Sequence, residues 1–125
     1  MNARIRTRLI VTGCLSLAGL LGSTCAFALD ADAAQTLARQ SGCFQCHAVD
    51  HKKDAPAYRD VAAKYKGNPE AEAKLTHHIT SGARVKFDDG HEEDHKIVKS
   101  KDPGEIKNLV DWILSLEGGT KPVAP

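Results

Sequence analysis

Long apolar runs, methionine, aromatic residues and an excess of either charge are all scarce in this 125-residue chain. Its apolar stretch, Leu9 to Leu21, is short of the ~20 residues that span a bilayer. Gly13, Gly19, Gly22 and Ser23 dilute it further, so a retained membrane anchor is the weaker reading. Arg4, Arg6 and Arg8 precede the stretch and the small-x-small triplet Ala26-Phe27-Ala28 follows it. This is the pattern of an export signal cut after Ala28. Residues 1–28 are then removed, and 29–125 form one domain with no membrane span and a loose tail over 120–125. Val11-Thr12-Gly13-Cys14 faintly resembles a lipoprotein processing site, but too little apolar sequence comes before it. The expected destination is the periplasm.

Cleavage sharpens the other absences. Cys14 and Cys25 leave with the signal, so Cys43 and Cys46 remain and a disulfide scaffold is excluded. Fourteen basic residues face sixteen acidic ones once the three arginines are gone, which gives no reason to expect a nucleic-acid partner. Met1 is the sole methionine and departs too. Five aromatics stay: Phe44, Tyr58, Tyr65, Phe87 and Trp112. A domain this small with so few large side chains buries a thin core, and a bulky apolar cofactor can supply the missing volume.

What is present is helical. Ala31 to Gln40 has Asp30 or Asp32 near its start and Gly42 after its end; Tyr58 to Tyr65 lies between Pro56 and Gly67. A third helix is predicted from an Asn68 cap and Pro69 through Leu75 to about Thr80. The fourth opens on Asp102-Pro103-Gly104-Glu105, with the spacing of a capping box, and carries Ile106, Leu109, Val110, Ile113 and Leu114 at helical period until Gly118-Gly119. No run alternates as a strand, so the fold class is all-α.

Cys43-Phe44-Gln45-Cys46-His47 carries the chemistry. Two cysteines three apart on one turn reach the two vinyl groups of one porphyrin, and the adjacent His47 is held beneath the ring, where its imidazole can ligate iron. The same cysteines fit a thioredoxin-type redox pair or half of a zinc site, yet neither needs a histidine next in line. His51, His77, His78, His91 and His95 keep the zinc reading open.

With these residues in view, the chain resembles the class I monohaem cytochromes c of the small c-551/c-552 type. The likeness runs through Gly42 to Asp50, Pro56 to Tyr65, Ala71-Glu72-Ala73 with Ile79 and Gly82, and Leu109 to Leu114. It implies about four helices wrapped around one haem c, bonded through Cys43 and Cys46 with His47 on the iron. It also implies that the Pro56 carbonyl accepts the hydrogen bond of the non-ligating His47 nitrogen. The resemblance places His78 beside a haem propionate. Phe87 falls where the family usually has a tryptophan that donates to a propionate; phenylalanine can pack there but cannot donate.

The departure from the family is the sixth ligand, ordinarily a methionine and absent here. The loop in its place, Asp88 to Lys96, has five acids and two histidines and is expected to be solvated. Counting back from Trp112 puts the family's ligand position on Lys96; counting forward from Gly82 puts it on Glu92. His95 is the first choice, because Ile97 and Val98 follow closely and can pack on the porphyrin, with His91 second. The expected function is a one-electron carrier that meets redox partner proteins transiently, not an enzyme. The rival is an open sixth position that binds a diatomic gas or peroxide.

Overall fold

The computed structural model describes residues 28–116. The signal stretch before Ala28, Gly118-Gly119 and the 120–125 tail lie outside them. Four α-helices run in the order α1 (Ala31–Gln40), α2 (Tyr58–Tyr65), α3 (Ala71–Ser81) and α4 (Pro103–Ser115). A single 3-10 turn, Cys43–Gln45, follows α1, and two short strands, β1 (Arg84–Lys86) and β2 (Glu92–Asp94), lie between α3 and α4.

Helix α4 is the centre, packed against α1, α2 and α3. Its start follows from its sequence: Asp102 Oδ1 accepts from the backbone N–H groups of Gly104 at 2.7 Å and Glu105 at 3.0 Å, with Pro103 in the first turn. The reciprocal half of the capping box is relayed. Ser100 Oγ accepts from the Asp102 N–H and donates to Glu105. The helical period buries Leu109, Val110, Trp112 and Ile113, each worth about 1.5–3 kcal/mol of transfer free energy. Ala34, Leu37 and Ala38 of α1 and Leu75 and Ile79 of α3 meet them in one core. Asn108 ties the chain's start to this helix, donating to Asp30 O at 2.7 Å and accepting from Asp30 N at 2.9 Å.

Two elements differ from the sequence expectation. Helix α3 begins at Ala71 rather than at Pro69, because the Asn68 side chain accepts from Glu70 N at 2.9 Å and folds residues 68–70 into a turn of their own. The acidic stretch is solvated as expected, but it is folded into a hairpin where the sequence predicts no strand. Strands β1 and β2 pair antiparallel in the register Arg84↔Asp94, Val85↔Glu93, Lys86↔Glu92. Opposite charges face each other across two of the three pairs, which substitutes for the apolar alternation that marks ordinary strands. Arg84 contacts both Glu92 and Asp94, at 3.5 and 3.4 Å.

Candidate haem site

The cysteine segment is held by its own backbone. Gly42 takes φ +75°, a left-handed conformation that ends α1 and turns the chain. Cys43 O then accepts from Cys46 N at 3.3 Å and His47 N at 3.0 Å, so both cysteines and the histidine leave one tight turn. This turn is 3-10 in hydrogen bonding. Lys53 Nζ closes it from outside by donating to Phe44 O at 2.7 Å and Gln45 O at 2.9 Å. Cys43 and Cys46 are not joined in a disulfide. Burial pushes the Cys43 thiol up, with a hydrogen bond to Tyr58 working against it. A reactive redox thiol needs the opposite shift. Among the described residues, no group of three or more His, Cys, Asp or Glu is placed to hold a metal ion such as zinc.

Residues 48–56 loop back to place Pro56. Ala55 N bonds Cys46 O at 3.0 Å, Tyr58 N bonds Ala48 O at 2.9 Å and Arg59 N bonds Val49 O at 3.1 Å. The Pro56 carbonyl thus lies 2.7 Å from His47 Nδ1. Burial, the larger effect, lowers the His47 pKa, and the Pro56 bond opposes it. The imidazole is therefore neutral, with Nδ1–H donating to Pro56 and the Nε2 lone pair left for a metal.

Sequence reasoning missed Tyr58 as part of this site. Its ring stacks on His47 with centroids 4.9 Å apart and planes 13° from parallel. Tyr58 is itself fixed by edge-to-face contacts with Phe44 at 5.8 Å and Trp112 at 5.6 Å. The position lies within the Pro56-Ala57-Tyr58 run that carried the resemblance, but a stack between loop and helix is a tertiary fact with no sequence period.

The opposite wall comes from the segment after β2. His95 N bonds Ala83 O at 3.0 Å and Val98 N bonds Ile79 O at 2.9 Å, pinning residues 95–98 along the end of α3. Val98 is buried; Ile97 is 54% exposed and rests on Gly82 instead of joining the core. The His95 ring faces the His47 ring with centroids 6.2 Å apart and planes at 61°. Two metal–nitrogen bonds of about 2 Å each, with half a ring at either end, span roughly 6 Å. His95 Nδ1 is buried without a hydrogen-bond partner, and burial, then the neighbouring His78 and His47, lowers the ring's pKa to about 4. His78 packs on His95 at 4.1 Å between centroids.

The remaining candidates lie outside this wall. Phe87 and His91 line a surface cleft with Cys46, Lys53 and Asp54, and their rings stack on each other at 4.3 Å and 5°. His91 is engaged there by Asp89 and by Glu93. Asp88, beside Phe87, is paired with Lys52. His51 is exposed beside Asp50, and His77 lines a groove on the outer face of α3. The residues present fit a haem, with two cysteines and a neutral imidazole on one side and a second neutral imidazole at the facing distance.

Known proteins share the fold and the cysteine motif of this chain. The model of the family described as cytochrome c matches residues 31–117. Cytochrome c-551 of Allochromatium vinosum is 39% identical over 80 residues, covering 64% of this chain and 82% of that protein. Cytochrome c-552 of Hydrogenobacter thermophilus is 35% identical over 83 residues, covering 66% and 81%. Among solved structures, the class 1 cytochrome MtoD of Sideroxydans lithotrophicus ES-1 is 61% identical with a TM-score of 0.68, covering 71% of this chain and 98% of that one. Cytochrome c552 of Nitrosomonas europaea gives 30%, a TM-score of 0.53, and 66% and 99% coverage. The chain belongs to the cytochrome c family, as a class I monohaem electron carrier of the c-551/c-552 type with one haem c in the position of Cys43 and Cys46.

Proposed function

We propose that this cytochrome is a periplasmic one-electron carrier whose iron is held between His47 and His95. The observation that carries the reading is the facing of the two rings at 6.2 Å. Haem c, when bound, supplies the Fe(III)/Fe(II) change. Around it, Cys43 and Cys46 anchor the group, and Pro56 holds the His47 ring through Nδ1 so that Nε2 points at the metal. His95 takes the place that methionine holds in the family. An imidazole in that place favours Fe(III) and lowers the reduction potential relative to a thioether. Phe87 lies in the cleft beside Cys46, where it would pack without donating a hydrogen bond, and His78 packs on His95 from α3.

His47 and His95, both tethered by the backbone, would hold the iron, and the one-electron change asks neither side chain to let go. Redox partner proteins touch the exposed edge near Cys46 briefly. Among the described residues no helix is long and apolar enough to cross a membrane. Export follows from the signal over 1–28, with cleavage after Ala28. The test is a pair of visible and paramagnetic-resonance spectra of the haem-loaded protein in both oxidation states, with carbon monoxide added to the reduced form. Low-spin spectra in both states and slow carbon monoxide binding support the carrier. A high-spin ferrous form that takes carbon monoxide at once would transfer the reading to an open-site haem protein.

A further inference from the structure

The two facing imidazoles are held by unlike means. On the His47 side the ring has a hydrogen bond to Pro56 and a stacked Tyr58. On the His95 side, Nδ1 has no partner, and the polar contact to the Lys96 backbone comes from the adjoining residue of the same segment and travels with it. Rotation of a ligand ring about its metal–nitrogen bond is a soft torsion, so packing must set the plane of His95. The group that packs on it is His78, 4.1 Å away and tilted by 47°. An in-line N–H···N bond needs a donor–acceptor distance of about 2.9 Å plus half of each ring, roughly 5 Å between centroids. The observed contact is closer than that, so the rings meet in tilted van der Waals contact rather than through an in-line hydrogen bond.

We infer that His78 is a positioning residue whose ring fixes the plane of His95 and so keeps the two axial imidazoles crossed. The inference rests on the reading of His47 and His95 as the axial pair. The 61° between those rings is the consequence. The placement of His78 suits this role, since it projects from α3 one residue before the core residue Ile79. Ile79 O anchors Val98 on the segment that carries His95. Ring and backbone are thus referenced to the same turn of α3. Crossed rings offer their π orbitals to different iron d orbitals and leave those orbitals nearly equal in energy, whereas parallel rings split them. Orienting an axial ligand in this way is one of the levers by which a protein sets the behaviour of its haem.

The test uses the full haem-loaded protein, oxidised and frozen, read by paramagnetic resonance, with the rate of sixth-ligand displacement by cyanide as second readout. The wild type is expected to show the single dominant low-field line of crossed rings. His78→Phe keeps a flat ring at the contact and should preserve both the line and the rate. His78→Ala removes the ring and should move the spectrum towards the three-line rhombic form, with cyanide displacement about tenfold faster. His78→Leu, which keeps bulk but no flat face, should behave like His78→Ala and serves if that variant folds poorly. Wild-type spectra from both His78→Ala and His78→Leu would overturn the inference, as would loss of the line in His78→Phe. His95→Ala separates the two levels: if it retains the native low-spin spectrum, the axial-pair reading fails, and with it the basis of the inference. If it turns high-spin while His78→Ala and His78→Leu are silent, only the role of His78 fails.

Discussion

The ring of His91 lies flat on the ring of Phe87, 4.3 Å between centroids and 5° from parallel. That stack, reinforced by Asp89 on one ring nitrogen and Glu93 on the other, commits His91 to the turn of the hairpin. His91→Ala is therefore expected to leave the low-spin spectrum of the haem-loaded protein unchanged, while His95→Ala converts it to a high-spin or water-ligated form and raises the potential. A spectrum lost with His91→Ala and kept with His95→Ala would move the ligand to the hairpin turn.

Whether the sixth ligand was His91 or His95 was not decidable from the sequence, for a physical reason. A count along a chain assumes a path, and the path here makes a detour: His95 N bonds Ala83 O, so residues 84–94 leave and return at one place. A count forward from Gly82 includes the detour, and a count back from Trp112 does not. The hairpin is not legible in the sequence because its pairing rests on opposite charges across the two strands rather than on apolar alternation along either. Helix α4, by contrast, was legible from Asp102 onward, since its cap and its apolar period are both local properties. Tyr58 was read as a helix-start residue; its place against His47 depends on the whole 48–56 loop.

Gly82 and Gly67 both adopt left-handed backbones, at φ +66° and +68°. A Cβ at Gly82 meets Ile97 at 3.2 and 3.3 Å, whereas one at Gly67 meets nothing within 4 Å. Both Gly→Ala changes should cost about 1–2 kcal/mol for the left-handed conformation. Gly82→Ala should cost more, because it also displaces the segment that carries His95. Chemical denaturation of the two variants measures the difference, and equal losses would show that Ile97 yields freely.

Burial lowers the pKa values of His47, His78 and His95 below the ordinary 6.5, that of His95 to about 4. The unfolded chain takes up protons near pH 6.5 that these three folded rings resist, His95 until about pH 4. Stability is therefore fully present above pH 6.5 and declines as the pH falls towards 4. On the proposed axial pair, iron held by His47 and His95 would act in the same direction, since metal and proton compete for one lone pair. Guanidinium midpoints at pH 7.5, 6 and 5 should fall in that order; a flat series would show that these rings are solvated.

Leu109 is 1% exposed at the junction of α4 with the other helices. Leu109→Ala should destabilise the haem-loaded protein by about 2–5 kcal/mol, a transfer term plus a cavity term. The core around it is built largely of alanine and single aliphatic side chains, so little else fills the volume. Replacing both Cys43 and Cys46 with Ala is accordingly expected to abolish cooperative folding. A sharp thermal transition in that double variant, followed by far-ultraviolet circular dichroism, would show that the four helices suffice without the porphyrin.

The hairpin's closed path has one more consequence. Its strands end in register at Arg84 and Asp94, and the next residue is already back beside Ala83. The projecting tip can therefore be lengthened, shortened or recharged without altering the tether that presents His95. The position of His95 and the charge of the hairpin surface are thus set by different bonds, the first by the backbone tether to Ala83 and the second by the side chains that β1 and β2 turn to solvent.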